Sequence, residues 1–248
     1  MADVVDEVAQ LGADAVSLQT CFIGAPDRRA VRSLERARGR LEVALAWGAP
    51  EGIRYGADAD ALDDLLAWLA VADEVGVTQV RIVLGGPAQR GAATAHGDRT
   101  VAALRVAAGA ARAHGLRLAI ENHGDISATD LLGIVERVDD DCVGVCFDTA
   151  NALRVGDEVV AAAELLAAHV TIVHLKDIED PAHERDPIAG PCSVEYGSGV
   201  VPLAATLATL RRGGFDDLVC IEIGQVPPGG DECALARSGL AWLAHADV

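Results

Sequence analysis

The strongest constraint on the fold is a regular alternation of short aliphatic runs with longer amphipathic segments rich in Ala and Leu. Seven strands are predicted, at Ala15–Gln19, Leu41–Trp47, Gln79–Leu84, Arg117–His123, Val143–Thr149, Val170–Asp177 and Leu218–Ile223. Helices are predicted between and after them, at Asp27–Arg38, Ala59–Val75, Asp98–His114, Thr129–Val138, Glu158–Ala168, Pro202–Arg212 and Glu232–His245. Strands that alternate with helices form parallel sheets joined by right-handed crossovers.

This alternation runs through the chain without a long linker, so residues 1–248 are expected to form a single domain. An α/β fold of the (β/α) TIM barrel type is favoured over a doubly wound sheet, because no G-x-G-x-x-G motif follows the first strand. A complete barrel has eight strands in about 250 residues. Only seven are predicted, and a helix at Ala2–Leu11 precedes them. The barrel is therefore expected to lack its first strand, or the sequence starts downstream of it.

Charge and composition exclude several classes of protein. The chain has 20 Lys and Arg against 38 Asp and Glu, a net charge of -18, which disfavours nucleic acid as a partner. No basic leader and no apolar run of about 18 residues is present, so no contact with a membrane is expected. The six cysteines contain no CxxC pair and are expected to be reduced thiols. We therefore expect a cytoplasmic protein.

Each of four predicted strands carries, near its carboxyl end, a residue that can bind a metal. These residues are Glu121, Asp148, His174 and Glu222. In a TIM barrel the carboxyl ends of the strands form the active site. Clustered carboxylates repel one another without a cation, and three carboxylates with one imidazole suit Mn²⁺, Mg²⁺ or Co²⁺. The pattern therefore predicts a divalent metal site, with Mn²⁺ as the preferred ion.

The motifs around these ligands resemble a known family. Ala119–His123 (AIENH), Phe147–Asn151 (FDTAN) and Val173–Asp177 (VHLKD) are similar to segments of the sugar phosphate isomerase/epimerase family. This xylose isomerase-like TIM barrel group belongs to the AP endonuclease family 2 superfamily. The resemblance implies the same four metal ligands, with Glu121 and Glu222 also serving as the catalytic acid and base. Relatives often carry Gly-Glu-Gly where this chain has Gly197-Ser-Gly199, so that glutamate is lost or replaced by Glu195.

Other candidate residues follow from their positions. Lys176, which is the only lysine and shares a strand face with His174, is predicted to be catalytic as a donor to the enediolate oxygen. His123, Asn151 and Arg185 are predicted to bind substrate. Asp177 is expected to be structural. Few basic residues lie near the barrel mouth, which favours an unphosphorylated substrate.

The leading hypothesis is a divalent-metal-dependent isomerase or epimerase of carbohydrate metabolism. It would act through an enediolate on a small keto-sugar, polyol ketone or hydroxy-keto compound. A lyase of the inosose dehydratase, dehydroshikimate dehydratase or C-glycoside-cleaving type would use the same enolate. A non-catalytic barrel subunit of a larger assembly is a second alternative, and a homo-oligomer is possible. The endonuclease branch is disfavoured, because its trinuclear zinc site needs several more histidines, and most of the seven in this chain lie away from strand ends.

Overall fold

The seven strands form one parallel sheet whose order follows the chain. The computed structural model describes residues 2–48, 51–181 and 190–246. The strands are β1 (Ala15–Gln19), β2 (Glu42–Ala46), β3 (Gln79–Ile82), β4 (Arg117–Glu121), β5 (Val143–Asp148), β6 (Val170–Leu175) and β7 (Leu218–Ile221). Each strand pairs in parallel with the next along the chain, and no ladder in the described residues joins β7 to β1. The sheet is thus a nearly closed barrel with a gap between its first and last strands.

Helices cover the outside of this barrel. They are α1 (Ala2–Gln10), α2 (Thr20–Ile23), α3 (Arg28–Arg38), α4 (Ala59–Glu74), α5 (Ala92–Ala113), α6 (Ala128–Val138), α7 (Asn151–Arg154), α8 (Val159–Leu166), α9 (Leu203–Arg212) and α10 (Glu232–His245). Short 3₁₀ turns occupy Arg54–Gly56, Pro87–Gln89 and Ala167–His169. None of the helices in the described ranges is long and apolar enough to cross a membrane.

Polar side chains fix several helix starts. Asp27, Asp58, Ser127 and Asp231 each accept a hydrogen bond from a backbone N–H in the first turn of α3, α4, α6 and α10. These caps satisfy donors that the helix itself leaves without a partner. The apolar faces of the helices then pack on the strands and form one continuous core.

The burial of the strands reflects the gap in the barrel. All residues of β3 and β5 are buried, as expected for strands covered on both faces. In β7 every residue is partly exposed, and β1 contains only two buried positions. The two strands beside the gap are therefore the least covered part of the sheet.

The predicted barrel and the order of its elements are confirmed, whereas several predicted ends are wrong. Strands β3, β4, β6 and β7 stop two residues before their predicted ends, because the chain leaves the ladder there to form the loops of the carboxyl face. Helix α5 starts six residues earlier than predicted, at Ala92. It contains a non-helical residue at His96 (φ -128°, ψ 20°), next to Gly97. The short helices α2 and α7 were not predicted.

Candidate active site

The four predicted metal ligands converge at the carboxyl end of the barrel. Glu121 and Asp148 are the last residues of β4 and β5, His174 lies near the end of β6, and Glu222 follows β7. One potential ligand atom from each lies within 4.8 Å of all the others. The register explains this convergence, because Asp148 is directly opposite His174 in the β5–β6 ladder. Glu121, Asp148 and His174 are buried, and the side chain of Glu222 is 28% exposed.

Two of these residues form a close buried pair. The Nδ1 atom of His174 and the Oε2 atom of Glu222 lie 2.5 Å apart, and apart from this contact neither has a hydrogen-bond partner within the described residues. The contact needs a proton on Nδ1, and without that proton a cation is needed beside the two facing lone pairs. Both atoms carry lone pairs and belong to the donor set of an oxygen-rich divalent metal site. The residues present therefore fit a divalent cation.

Two cations also contact this acidic cluster. The Nζ atom of Lys176 donates to Oδ2 of Asp148 at 2.9 Å and lies 2.7 Å from Oε1 of Glu222. Arg81, which lies in β3 and is buried, donates from Nε to Oε2 of Glu121. These contacts offset part of the repulsion among the three carboxylates.

Burial and neighbouring charges change the pKa values of Glu222, Lys176 and Asp148. Burial opposes charge on Glu222, but Lys176 and His174 hold the pKa of this carboxyl well below its usual range. Burial likewise opposes the charge on Lys176, and Asp148 and Glu222 nevertheless raise the pKa of its ammonium group. Burial raises the pKa of Asp148, only partly countered by Lys176. Lys176 is thus a permanently charged hydrogen-bond donor next to Glu222.

Glu121 is held at both carboxylate oxygens. Arg81 donates to Oε2, and Nδ2 of Asn151 donates to Oε1 at 3.0 Å. Although burial opposes its charge, Arg81 and His174 lower the pKa of Glu121. Asn151, predicted to bind substrate, therefore contacts a proposed metal ligand.

The remaining predicted residues fall in different places. His123 is half-buried two residues after Glu121, and its Nδ1 atom lies 3.2 Å from the carbonyl oxygen of Gly85. Arg185 lies outside the described residues. Glu195 is exposed on the loop before α9.

Asp177 shapes the loop that leads from β6 to α9. Its fully buried carboxylate accepts hydrogen bonds from the backbone N–H groups of Gly197, Gly199 and Val201. A Cβ atom at residue 199 would lie 2.1 Å from Oδ1 of Asp177, so this position requires glycine. The interpretation of Asp177 as structural agrees with these contacts.

Two buried charged residues, Arg81 and Asp125, were not predicted from the sequence. Arg81 is a charged residue in a strand with the sequence Gln-Val-Arg-Ile, and the alternation of that strand is the only signal that it could face the barrel interior. Asp125 is buried in the loop after β4 and accepts a hydrogen bond from Tyr55 at 2.6 Å. These residues are 70 positions apart, and no local pattern links them.

Comparison with known proteins places the chain in a family. Residues 5–246 match the family described as xylose isomerase-like TIM barrel, and the chain belongs to it. The solved structure of an L-ribulose 3-epimerase is similar, with a TM-score of 0.79 at 20% identity over 98% of this chain and 86% of that chain. A xylose isomerase-like TIM barrel protein from Mycobacterium smegmatis, solved in complex with magnesium, has a TM-score of 0.76 at 16% identity, covering 99% and 87% of the two chains.

One relative with a similar sequence is named as a decarboxylase rather than as an epimerase. The 3-oxo-isoapionate decarboxylase of Pectobacterium atrosepticum is 26% identical over 180 residues, which are 71% of this chain. The match spans only 60% of the length of that relative. The chain is thus a member of the xylose isomerase-like TIM barrel family, and the proteins similar to it include one named as an epimerase and one named as a decarboxylase.

Proposed function

We propose that the chain is a divalent-metal-dependent isomerase or epimerase that forms an enediolate from a small keto-sugar or hydroxy-keto compound. The observation that supports this most strongly is the convergence of Glu121, Asp148, His174 and Glu222, with one potential ligand atom from each within 4.8 Å of the others. These four residues would hold the metal. A bound divalent metal supplies Lewis-acid polarisation of the substrate carbonyl and lowers the pKa of the adjacent C–H group. Mn²⁺ or Mg²⁺ suits the oxygen-rich ligand set.

Glu222 and Lys176 would have different roles in the proposed reaction. Glu222 is the more exposed of the two glutamates, with 28% of its side chain accessible against 1% for Glu121. It is therefore placed to remove the proton from the carbon next to the carbonyl. Lys176, which stays protonated, would donate a hydrogen bond to the oxygen on which negative charge develops. Isomerisation then needs the proton to return to the neighbouring carbon, and epimerisation needs it to return to the opposite face.

A lyase is the second candidate, and the hydrogen bonds of Glu121 favour it. Epimerisation by two glutamates requires Glu121 to exchange a proton as well. Arg81 and Asn151 already donate to both of its oxygens, which favours the ionised and fixed form of this carboxylate. One base is sufficient for elimination of a β-hydroxyl group, because the same carboxyl can return the abstracted proton to that hydroxyl, which leaves as water. The decarboxylase relative is consistent with enolate chemistry of this kind.

The test is a panel of ketoses, inososes and hydroxypyruvate incubated in D₂O with the Mn²⁺-loaded protein and analysed by mass spectrometry. Deuterium incorporation with otherwise retained mass supports an isomerase or epimerase, and loss of water or CO₂ supports a lyase. Glu222→Gln should abolish the reaction, whereas Glu164→Gln, a matched change at an exposed position of α8, should leave it intact. No reaction with any compound by the wild-type protein would refute both candidates.

A further inference from the structure

A second polar cluster lies at the same end of the barrel as the proposed metal site. Asp125, after β4, is 2% exposed, and its Oδ2 atom accepts a hydrogen bond from the hydroxyl of Tyr55 at 2.6 Å. Its other oxygen, Oδ1, is buried and has no hydrogen-bond partner among residues 2–48, 51–181 and 190–246. A buried carboxylate oxygen without a donor is costly, so this position calls for a ligand or a functional reason.

The backbone around Tyr55 is strained in a way that maintains this contact. Arg54 and Tyr55 both have positive φ angles, 47° and 53°, which residues with side chains rarely adopt. The backbone N–H of Tyr55 donates to Leu84, and its carbonyl oxygen accepts from Arg99 and Thr100. The surrounding structure thus fixes the tyrosine in a conformation that its own sequence disfavours.

Gly85 completes the enclosure of the Asp125 carboxylate. A Cβ atom at this position would lie 2.6 Å from the ring of Tyr55 and 2.9 Å from Oδ2 of Asp125. Any larger residue would therefore disrupt the tyrosine–aspartate pair. The carbonyl oxygen of the same glycine lies 3.2 Å from Nδ1 of His123, which brings the histidine to the same cluster.

His123 connects this cluster with the proposed metal site. It is half-buried and follows the ligand Glu121 by two residues. It lies between Glu121 and Asp125 in the segment after β4, two residues from each. Burial raises the pKa of Asp125 against the opposing effects of Tyr55 and His123. The cluster is thus a neighbour of the reacting centre.

We propose that Asp125, oriented by Tyr55, forms with His123 a subsite that binds a hydroxyl group of the substrate next to the metal-binding position. The inference rests on the proposed function and specifies it, because it requires a polyhydroxylated substrate with a hydroxyl beyond the two oxygens at the metal. A substrate O–H would supply the donor that Oδ1 of Asp125 lacks. Sites built to hydrogen-bond a substrate hydroxyl discriminate strongly against analogues without it.

The experiment compares ketoses of increasing length. Dihydroxyacetone offers a carbonyl and adjacent hydroxyls only, whereas L-erythrulose, D-ribulose and D-fructose carry one or more hydroxyls further from the carbonyl. For each, kcat/KM for solvent-deuterium exchange is measured with Mn²⁺-loaded protein, and binding is measured by saturation-transfer NMR with Mg²⁺-loaded protein. The variants are Asp125→Asn and Tyr55→Phe, with Asp139→Asn, an exposed aspartate after α6, as the matched control.

The wild-type protein should prefer at least one longer ketose over dihydroxyacetone. Asp125→Asn should reduce the ratio of their kcat/KM values at least tenfold, Tyr55→Phe should reduce it less, and Asp139→Asn should leave it unchanged. A ratio unaltered by Asp125→Asn, including equal losses for all ketoses, would overturn the proposal. If the wild-type protein exchanges no deuterium but binds longer ketoses that Asp125→Asn does not bind, the subsite is supported and the proposed reaction fails. Wild-type protein that binds no ketose overturns the subsite.

Discussion

The ion pair between Arg81 and Glu121 gives a quantitative prediction about stability. Its side chains are 9% and 1% exposed, so solvent screens the interaction little. Arg81→Met removes the guanidinium and leaves the buried carboxylate of Glu121 without its cation. Breaking a buried pair in this way costs about 3–5 kcal/mol. For a chain of this size about 1 kcal/mol corresponds to roughly 2–4 °C in Tm, so the expected decrease is roughly 6–20 °C.

Thermal unfolding of chelator-treated protein measures this decrease. Arg81→Lys keeps the positive charge but loses the planar fork of donors, and it should lose less stability. The matched control is Arg28→Met, which breaks the pair with Glu74, where the side chains are 81% and 47% exposed. Exposed pairs contribute about 0–1 kcal/mol, so the Tm should change by less than about 4 °C. If Arg81→Met melts within 2 °C of the wild type, the argument that this cation stabilises a buried Glu121 is wrong.

Three further predictions concern the loops and the charges of the site. Lys176→Met should reduce turnover by roughly 10²-fold or more, as measured by kinetics. The variant should bind Mn²⁺ at least as tightly as the wild type in calorimetry, because a cation that contacts Asp148 has been removed. Weaker metal binding by the variant would refute this reasoning. Because the folded-state pKa of Asp125 is raised, this group lowers stability as the pH rises above its unfolded value of about 4. Asp125→Asn should therefore raise Tm at pH 7 but not near pH 4. An equal gain in Tm at the two pH values would show that the ionisation of Asp125 does not lower stability. Gly199→Ala should lower Tm, because its Cβ atom would collide with Asp177, whereas the exposed Ser198→Ala should have little effect.

The sequence was sufficient for the barrel and for the convergence of four potential ligands, because both depend on local patterns. Strands and helices alternate with distinct periodicities, and a polar residue at the end of an apolar strand marks the carboxyl face of a parallel sheet. Glu121, Asp148 and His174 were found in this way. The strand ends were harder, because hydrogen bonding to the neighbouring strand, rather than residue type, decides where a ladder stops.

The partners of these ligands could not be predicted for a physical reason. Arg81 reaches Glu121 across 40 residues, and Tyr55 reaches Asp125 across 70, so each contact depends on how separate loops and strands pack. The left-handed backbone at Tyr55 also contradicts the ordinary preference of tyrosine. Such departures from local rules concentrate at functional sites, which is why they point to Asp125.

Metal binding tests the central claim most directly. Chelator-treated protein is titrated with Mn²⁺ by calorimetry, and His174→Gln is compared with His169→Gln, a matched change at the opposite end of β6. We expect one Mn²⁺ per chain for the wild type and for His169→Gln, with affinity reduced at least tenfold in His174→Gln. Absence of binding by the wild-type protein, or equal binding by His174→Gln, would contradict the assignment of these four residues as a metal site.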